Sequence, residues 1–134
     1  MNKLFAAIFL VTTVIISCTP SAPVSKKDPL ESARGFIEAS LQGNFDQAQQ
    51  YLLNDSTNML YFDTFKDFYA KRSDAEKDGY KNASIIIDST QNLSDSVAII
   101  TYANTYKNKP SKLKLVKKGS DWLVDFKYTL NSDQ

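Results

Sequence analysis

Hydrophobic and polar positions fall into three regimes along this chain. Leu4 to Ser17 is a run of 14 residues without charge, preceded by Met1-Asn2-Lys3. From Asp28 to Arg72 apolar residues recur at three and four, the period of a helix with one buried face. From Ala83 onward the period drops to two, the spacing of strands with one face in a core. The stretch TPSAPVSKK at 19–27, with two prolines and little to bury, separates the first regime from the second. Gly79 separates the second from the third.

The helical regime divides by its punctuation. In Asp28-Pro29-Leu30-Glu31 the aspartate can accept from first-turn amides, proline suits the first helical position, and Glu31 stands at the capping-box spacing. Ala33, Phe36, Ile37, Ser40 and Leu41 follow, and Gly43 supplies a stop, so a helix is expected over about 29–42. A short second helix over about 45–53 places Phe45, Ala48, Tyr51 and Leu52 on one side. Asn54-Asp55-Ser56 reads as loop and cap. Leu60, Tyr61, Phe65, Phe68, Tyr69 and Arg72 then predict a third helix, from Thr57 to about Arg72, with an aromatic stripe. Ser73 to Asp78 reads as a polar connection.

In the alternating regime, Ala83 to Thr90 carries Ile85-Ile86-Ile87, and a longer strand is expected from Leu93 to Tyr106. There Val97, Ile99 and Thr101 take one face and Ala98, Ile100, Tyr102 and Tyr106 the other. Pro110 breaks the chain, Lys112 to Leu115 alternates, and Lys118 to Asp121 reads as a turn. A last strand is expected from Trp122 to Leu130, with Trp122, Val124, Phe126, Tyr128 and Leu130 facing one way and Asp125 the other. Short connections imply an antiparallel meander of about four strands. Its apolar face needs the helices as cover, so the fold class is α+β, N-terminal helices packed on a curved antiparallel sheet.

The opening run is shorter than the roughly 20 apolar residues that a spanning helix needs. A basic start, an apolar core and a small residue at its end describe an export signal. Its ending, Ile15-Ile16-Ser17-Cys18, resembles the lipobox of bacterial lipoproteins. That resemblance implies cleavage before Cys18 and attachment of fatty chains, palmitate among them, at Cys18. The chain then divides into a signal peptide at 1–17, a lipidated cysteine with a flexible tether at 18–27, and one domain at 28–134. Lys26 and Lys27 stand where surface-displayed lipoproteins of Bacteroidota carry acidic residues. The implied location is the cell envelope, anchored in the outer membrane and facing the periplasm.

Pro29 opening the first helix, Phe36 and Ala39 within it, Gly43-Asn44-Phe45-Asp46-Gln47-Ala48 after it and Gly119 to Asp125 near the end carry a second resemblance. In their order they resemble small Bacteroidota-type lipoproteins with a nuclear transport factor two-like, cystatin-like cone domain of unknown function. The resemblance implies a concave sheet wrapped on helices, often with a pocket between them. It implies no activity.

Charge and chemistry narrow the function. Of 16 basic and 15 acidic residues, Lys3 leaves with the signal, so the remaining side chains sum to zero. Such a chain is not steered toward nucleic acid. Histidine is absent and Cys18 is the single cysteine, which removes Ser-His-Asp and Cys-His catalysis and histidine metal sites. No cofactor or metal is implied. Asp88 and Asp125 are the strand carboxylates, and Asp125 is expected to face water. The candidate ligand pocket is Tyr102, Tyr106, Trp122, Phe126 and Tyr128, aromatic area with polar tips. Lys107, Lys109, Lys112, Lys114, Lys117 and Lys118 form a candidate patch for an anionic partner, or else guard an exposed strand against edge pairing. These features favour a non-catalytic, membrane-anchored domain that binds a small apolar ligand or an envelope protein. The rivals are a cone-fold isomerase or hydrolase using Tyr and Asp, and an inhibitor or immunity-type protein presenting the loop from Lys107 to Lys112.

Overall fold

The structure is a computed structural model, and it describes residues 24–131. The signal run, Cys18 and most of the tether lie outside these residues. Helices α1 (Pro29–Leu41), α2 (Phe45–Gln49), α3 (Ser56–Ala70) and α4 (Asp74–Lys81) come first. Strands β1 (Ile85–Ser94), β2 (Val97–Asn104), β3 (Ser111–Lys118) and β4 (Asp121–Val124) follow, and α5 (Phe126–Asn131) closes the chain. The fold is α+β with one antiparallel sheet in the order β1-β2-β3-β4.

Local chemistry sets the helix ends. The Asp28 carboxylate accepts from the amides of Leu30 and Glu31 at 2.8 and 3.1 Å. The Asn44 side chain caps α2, and Asp55 caps α3 by accepting from the Asn58 amide at 2.9 Å. These satisfy first-turn donors that the helix itself leaves open. The polar stretch expected as a connection is itself a helix. Ser73 and Glu76 form a reciprocal capping box and start α4, and Gly79 lies inside it. Gly79 is there for packing: a Cβ on it would come within 2.4 Å of the Tyr106 ring.

Three sheet expectations are corrected. The β1–β2 reversal is at Asp95 and Ser96, because Ser94 pairs with Val97. The last strand stops at Val124, and the residues from Phe126 turn into α5. The lysine-rich segment guards no edge, since β3 lies between β2 and β4. The outer side of β4 is occupied by other chain: the Trp122 amide donates to the Lys26 carbonyl at 2.7 Å and the Val124 amide to the Tyr51 carbonyl at 2.8 Å. Lys27 and Lys26 also pair with Asp121 at 2.9 and 3.4 Å, so the residues just before α1 are seated on β4.

The core lies between the helices and the inward face of the sheet. Ala98, Ile100, Leu113, Leu115 and Val124 are fully buried beneath Ala33, Phe36 and Ile37 of α1. Phe62 is fully buried, with Phe36 and Phe126 rings at 6.0 and 5.8 Å. Trp122 is buried as its alternation requires, and its carbonyl accepts the Ser32 hydroxyl at 2.6 Å.

Candidate functional site

A cavity of about 330 Å³ opens between α1, the second half of α3, the adjoining ends of β2 and β3, and α5. Phe36 and Ile37 come from the buried face of α1, Phe65 and Tyr69 from the aromatic stripe of α3, Tyr102 from β2 and Phe126 from α5. Arg72, Tyr80, Asn104 and Ser111, all half-buried, also line it.

Two of the lining residues carry unusual hydroxyls. Ser40 and Tyr69 are 8% and 9% exposed, and neither hydroxyl has a hydrogen-bond partner among the described residues. A buried polar group left this way costs about 1–3 kcal/mol, so proteins rarely retain one without reason. Burial, reinforced by the negative charge of Asp78, pushes the Tyr69 phenol above its ordinary range, with Arg72 opposing. Tyr69 is therefore a neutral hydroxyl, able to donate. Gly43, at φ +73°, turns the chain past it, and a Cβ there would stand 2.9 Å from the phenol oxygen.

Arg72 supplies charge at the cavity. Its Nη1 is 3.5 Å from Glu76 Oε1, and its guanidinium lies 4.9 Å from the centre of the Tyr80 ring. Tyr80 in turn meets Tyr106 edge-on at 5.0 Å, with Lys107 5.1 Å above the Tyr106 ring. Among the described residues no carboxylate lines the cavity, and its wall is mainly apolar and aromatic.

The five aromatics expected to share a pocket are divided. Tyr102 and Phe126 line the cavity. Tyr106 packs on Gly79 and Tyr80 instead, because β2 ends at Asn104 before reaching it. Trp122 belongs to the core under α1, with Lys117 5.9 Å over its ring. Tyr128 lies under Lys114 at 5.8 Å. Sequence reasoning missed Ser40, Tyr69, Arg72 and Tyr80 as site residues. Phe65 and Tyr69, four apart on one face of α3, with Arg72 three residues further on, were the signal that could have found part of the set.

The six lysines do not form one patch. Lys112, Lys114 and Lys118 share one face of β3, Lys117 takes the other, and Lys107 and Lys109 belong to the β2–β3 connection. Lys114 is engaged at 3.4 Å by Asp125, which overturns the expectation that Asp125 faces water. Asp125 is 6% exposed and also pairs with Lys127 at 2.8 Å. Fully buried Asn58 donates to Asp55 at 2.7 Å and to Asp125 at 3.4 Å, and its carbonyl oxygen accepts the Lys127 amide at 2.9 Å. Because the strand ends at Val124, alternation no longer governs Asp125, and its side chain turns into the joint between α3 and α5. Asp88 is exposed beside an irregularity in β1.

No protein-family model, curated protein or solved structure matches this chain. Among the described residues no helix is long and apolar enough to cross a membrane, and no group of acidic residues is arranged to hold a metal ion.

Proposed function

We propose that this chain is a lipid-anchored cell-envelope protein whose domain, a nuclear transport factor two-like cone, binds a small, largely apolar ligand without transforming it. The observation that carries the binding reading is the cavity itself, walled by Phe36, Phe65, Tyr102 and Phe126, with Ser40, Tyr69, Arg72 and Tyr80 also in its lining. An apolar pocket with a few convergent polar groups is the usual form of a small-molecule site. The buried carboxylate that a Tyr/Asp enzyme would need is instead held by Lys114 and Lys127, outside the cavity lining.

The test uses residues 18–134 carrying Cys18→Ser, equilibrated with envelope lipid and metabolite extracts and examined by native mass spectrometry. A retained small molecule that is lost on Tyr102→Ala, with circular dichroism unchanged, supports the reading. Turnover of an extract component that disappears on Asp125→Asn overturns it in favour of an enzyme. The anchor rests on Ile15-Ile16-Ser17-Cys18 and is tested separately. Cys18→Ala blocks incorporation of labelled palmitate in cells, since stable anchoring needs more than one buried acyl chain and Cys18 is where they attach.

A further inference from the structure

We propose that the end of the domain carrying the β1–β2 and β3–β4 turns docks on the phospholipid surface that holds Cys18, with the cavity end turned away from it. This rests on the anchor reading above and adds how the domain stands on its membrane. From Val24 onward the residues before α1 belong to the folded body. Val24 packs against the core, and the Ser25 hydroxyl donates to Glu31 in the first turn of α1 at 2.7 Å. The Lys26 carbonyl holds the Trp122 amide, and Lys27 Nζ reaches Ser120 and Asp121 beside the β3–β4 turn, both at 2.9 Å. Only Thr19 to Pro23 separate this seated segment from Cys18. The steps from Cys18 to Val24 span at most about 21 Å, so the anchor keeps this end of the domain close to the lipid.

The two turns form one surface, because the Lys117 amide donates to the Ser96 carbonyl at 2.8 Å. Gln91 to Ser96 and Lys117 to Ser120 are all exposed. Leu93 is 56% exposed there, at an irregularity in the β1–β2 register, and shares a shallow recess with Pro29 and Trp122. A single exposed leucine is ordinary on a protein surface. What selects this one is its place, at the end to which the anchor is joined. Lys26, Lys27, Lys117 and Lys118 stand at this end with Asp28, Glu31, Asp95 and Asp121, so neither sign dominates. Such a surface suits zwitterionic headgroups. Tethering supplies an effective concentration in the millimolar range, so a contact too weak to hold a free protein suffices.

The opposite end is marked by the cavity. Ser40 and Leu41 in the last turn of α1, Asn104 at the end of β2 and Ser111 at the start of β3 line it. The 13 residues of α1 rise about 20 Å between the two ends. Lys107 and Lys109, exposed in the β2–β3 connection, therefore report on the far end.

The test couples residues 18–134 through the Cys18 thiol to maleimide-headgroup lipid in phosphatidylcholine vesicles, an anchor that does not depend on acylation in cells. Sub-stoichiometric lysine acetylation, read by mass spectrometry, is compared with the same protein capped by N-ethylmaleimide and mixed with plain vesicles. Lys27, Lys117 and Lys118 should react about fivefold more slowly on the vesicle, as follows if the end is docked about four-fifths of the time. Lys107 and Lys109 should be unchanged. Leu93→Asp should restore reactivity at the three protected lysines, with the melting temperature unchanged because the side chain is exposed. Equal protection at both ends, protection of Lys107 and Lys109 instead, or no protection overturns the proposal. Protection that survives Leu93→Asp overturns it too, since shielding then comes from proximity without docking. A lack of palmitate incorporation in cells overturns the anchor reading instead and leaves the vesicle result as it stands.

Discussion

The joint between α3 and α5 and the cavity beside it both bury polar groups, and they treat them in opposite ways. At the joint, Asp125 is met by Lys127, Lys114 and Asn58, and Asn58 has a partner for its amide nitrogen, its side-chain donor and its side-chain acceptor. Among the residues lining the cavity, Ser40 and Tyr69 are as deeply buried, and their hydroxyls have no partner among the described residues. A satisfied network locks neighbouring elements into one arrangement, whereas unsatisfied donors hold a cost. The first pattern fixes the scaffold, and the second leaves a cost in the wall of the proposed site.

The sharpest way to break this comparison is to remove its hub. Asp125→Ala leaves two ammonium groups around a vacated position and is expected to cost about 3–5 kcal/mol, read as a lower urea midpoint. A midpoint within error of the parent would mean that the joint contributes little, and the contrast would fail. Asn58→Ala orphans partners on both α3 and α5 and should cost about 2–3 kcal/mol by the same measurement.

Titration sharpens the comparison next. The backbone amide of Asn58, followed by the Lys127 ammonium, holds the Asp55 carboxyl below its ordinary range. Its contribution is present above the unfolded value of about 4 and is lost as pH falls through the lower folded value. Hydrogen bonding to Asp125, and then to Asp55, pushes Lys127 above its ordinary range. That contribution is present below about 10.5 and is lost as pH rises through the higher folded value. With no histidine in the chain, stability should be nearly flat between about pH 6 and 9. Asp55→Asn should flatten the acid limb of a melting-temperature profile, and an unaltered limb would show that other carboxylates set it.

The smallest expected effect has the opposite sign. Tyr69→Phe deletes a hydroxyl without a partner among the described residues and keeps the ring packed edge-on against Phe45 at 5.1 Å. It should raise the stability of the ligand-free protein by about 0.5–1 kcal/mol, visible as a higher melting temperature. A loss greater than about 1 kcal/mol would mean that the phenol is satisfied after all, and the two regions would no longer differ.

The starts of α1 and α3 were legible because their determinants are adjacent in sequence. Asp28-Pro29 and Asp55 act on amides within three residues, so no other part of the chain is needed to read them. The capping box from Ser73 to Glu76 was equally local and was overlooked because α4 buries no residue, so no apolar period marks it. The end of β4 was not legible. Trp122, Val124 and Phe126 keep strand parity, and a six-residue helix after them is too short for its own period to declare itself.

By itself, the sequence determined the order of helices before strands, the caps of α1 and α3, the alternation along β2 and β3, and a chain whose chemistry must proceed without histidine or a second cysteine. These follow from local hydrogen bonding, periodicity and composition. Only the tertiary structure decided where Asp125 points, which aromatics meet, and that Ser40 on α1 and Arg72 just after α3 line one cavity. Each of these depends on the angle between elements distant in sequence, and that angle is set by how large side chains such as Phe36, Phe62 and Phe126 pack together rather than by any local pattern.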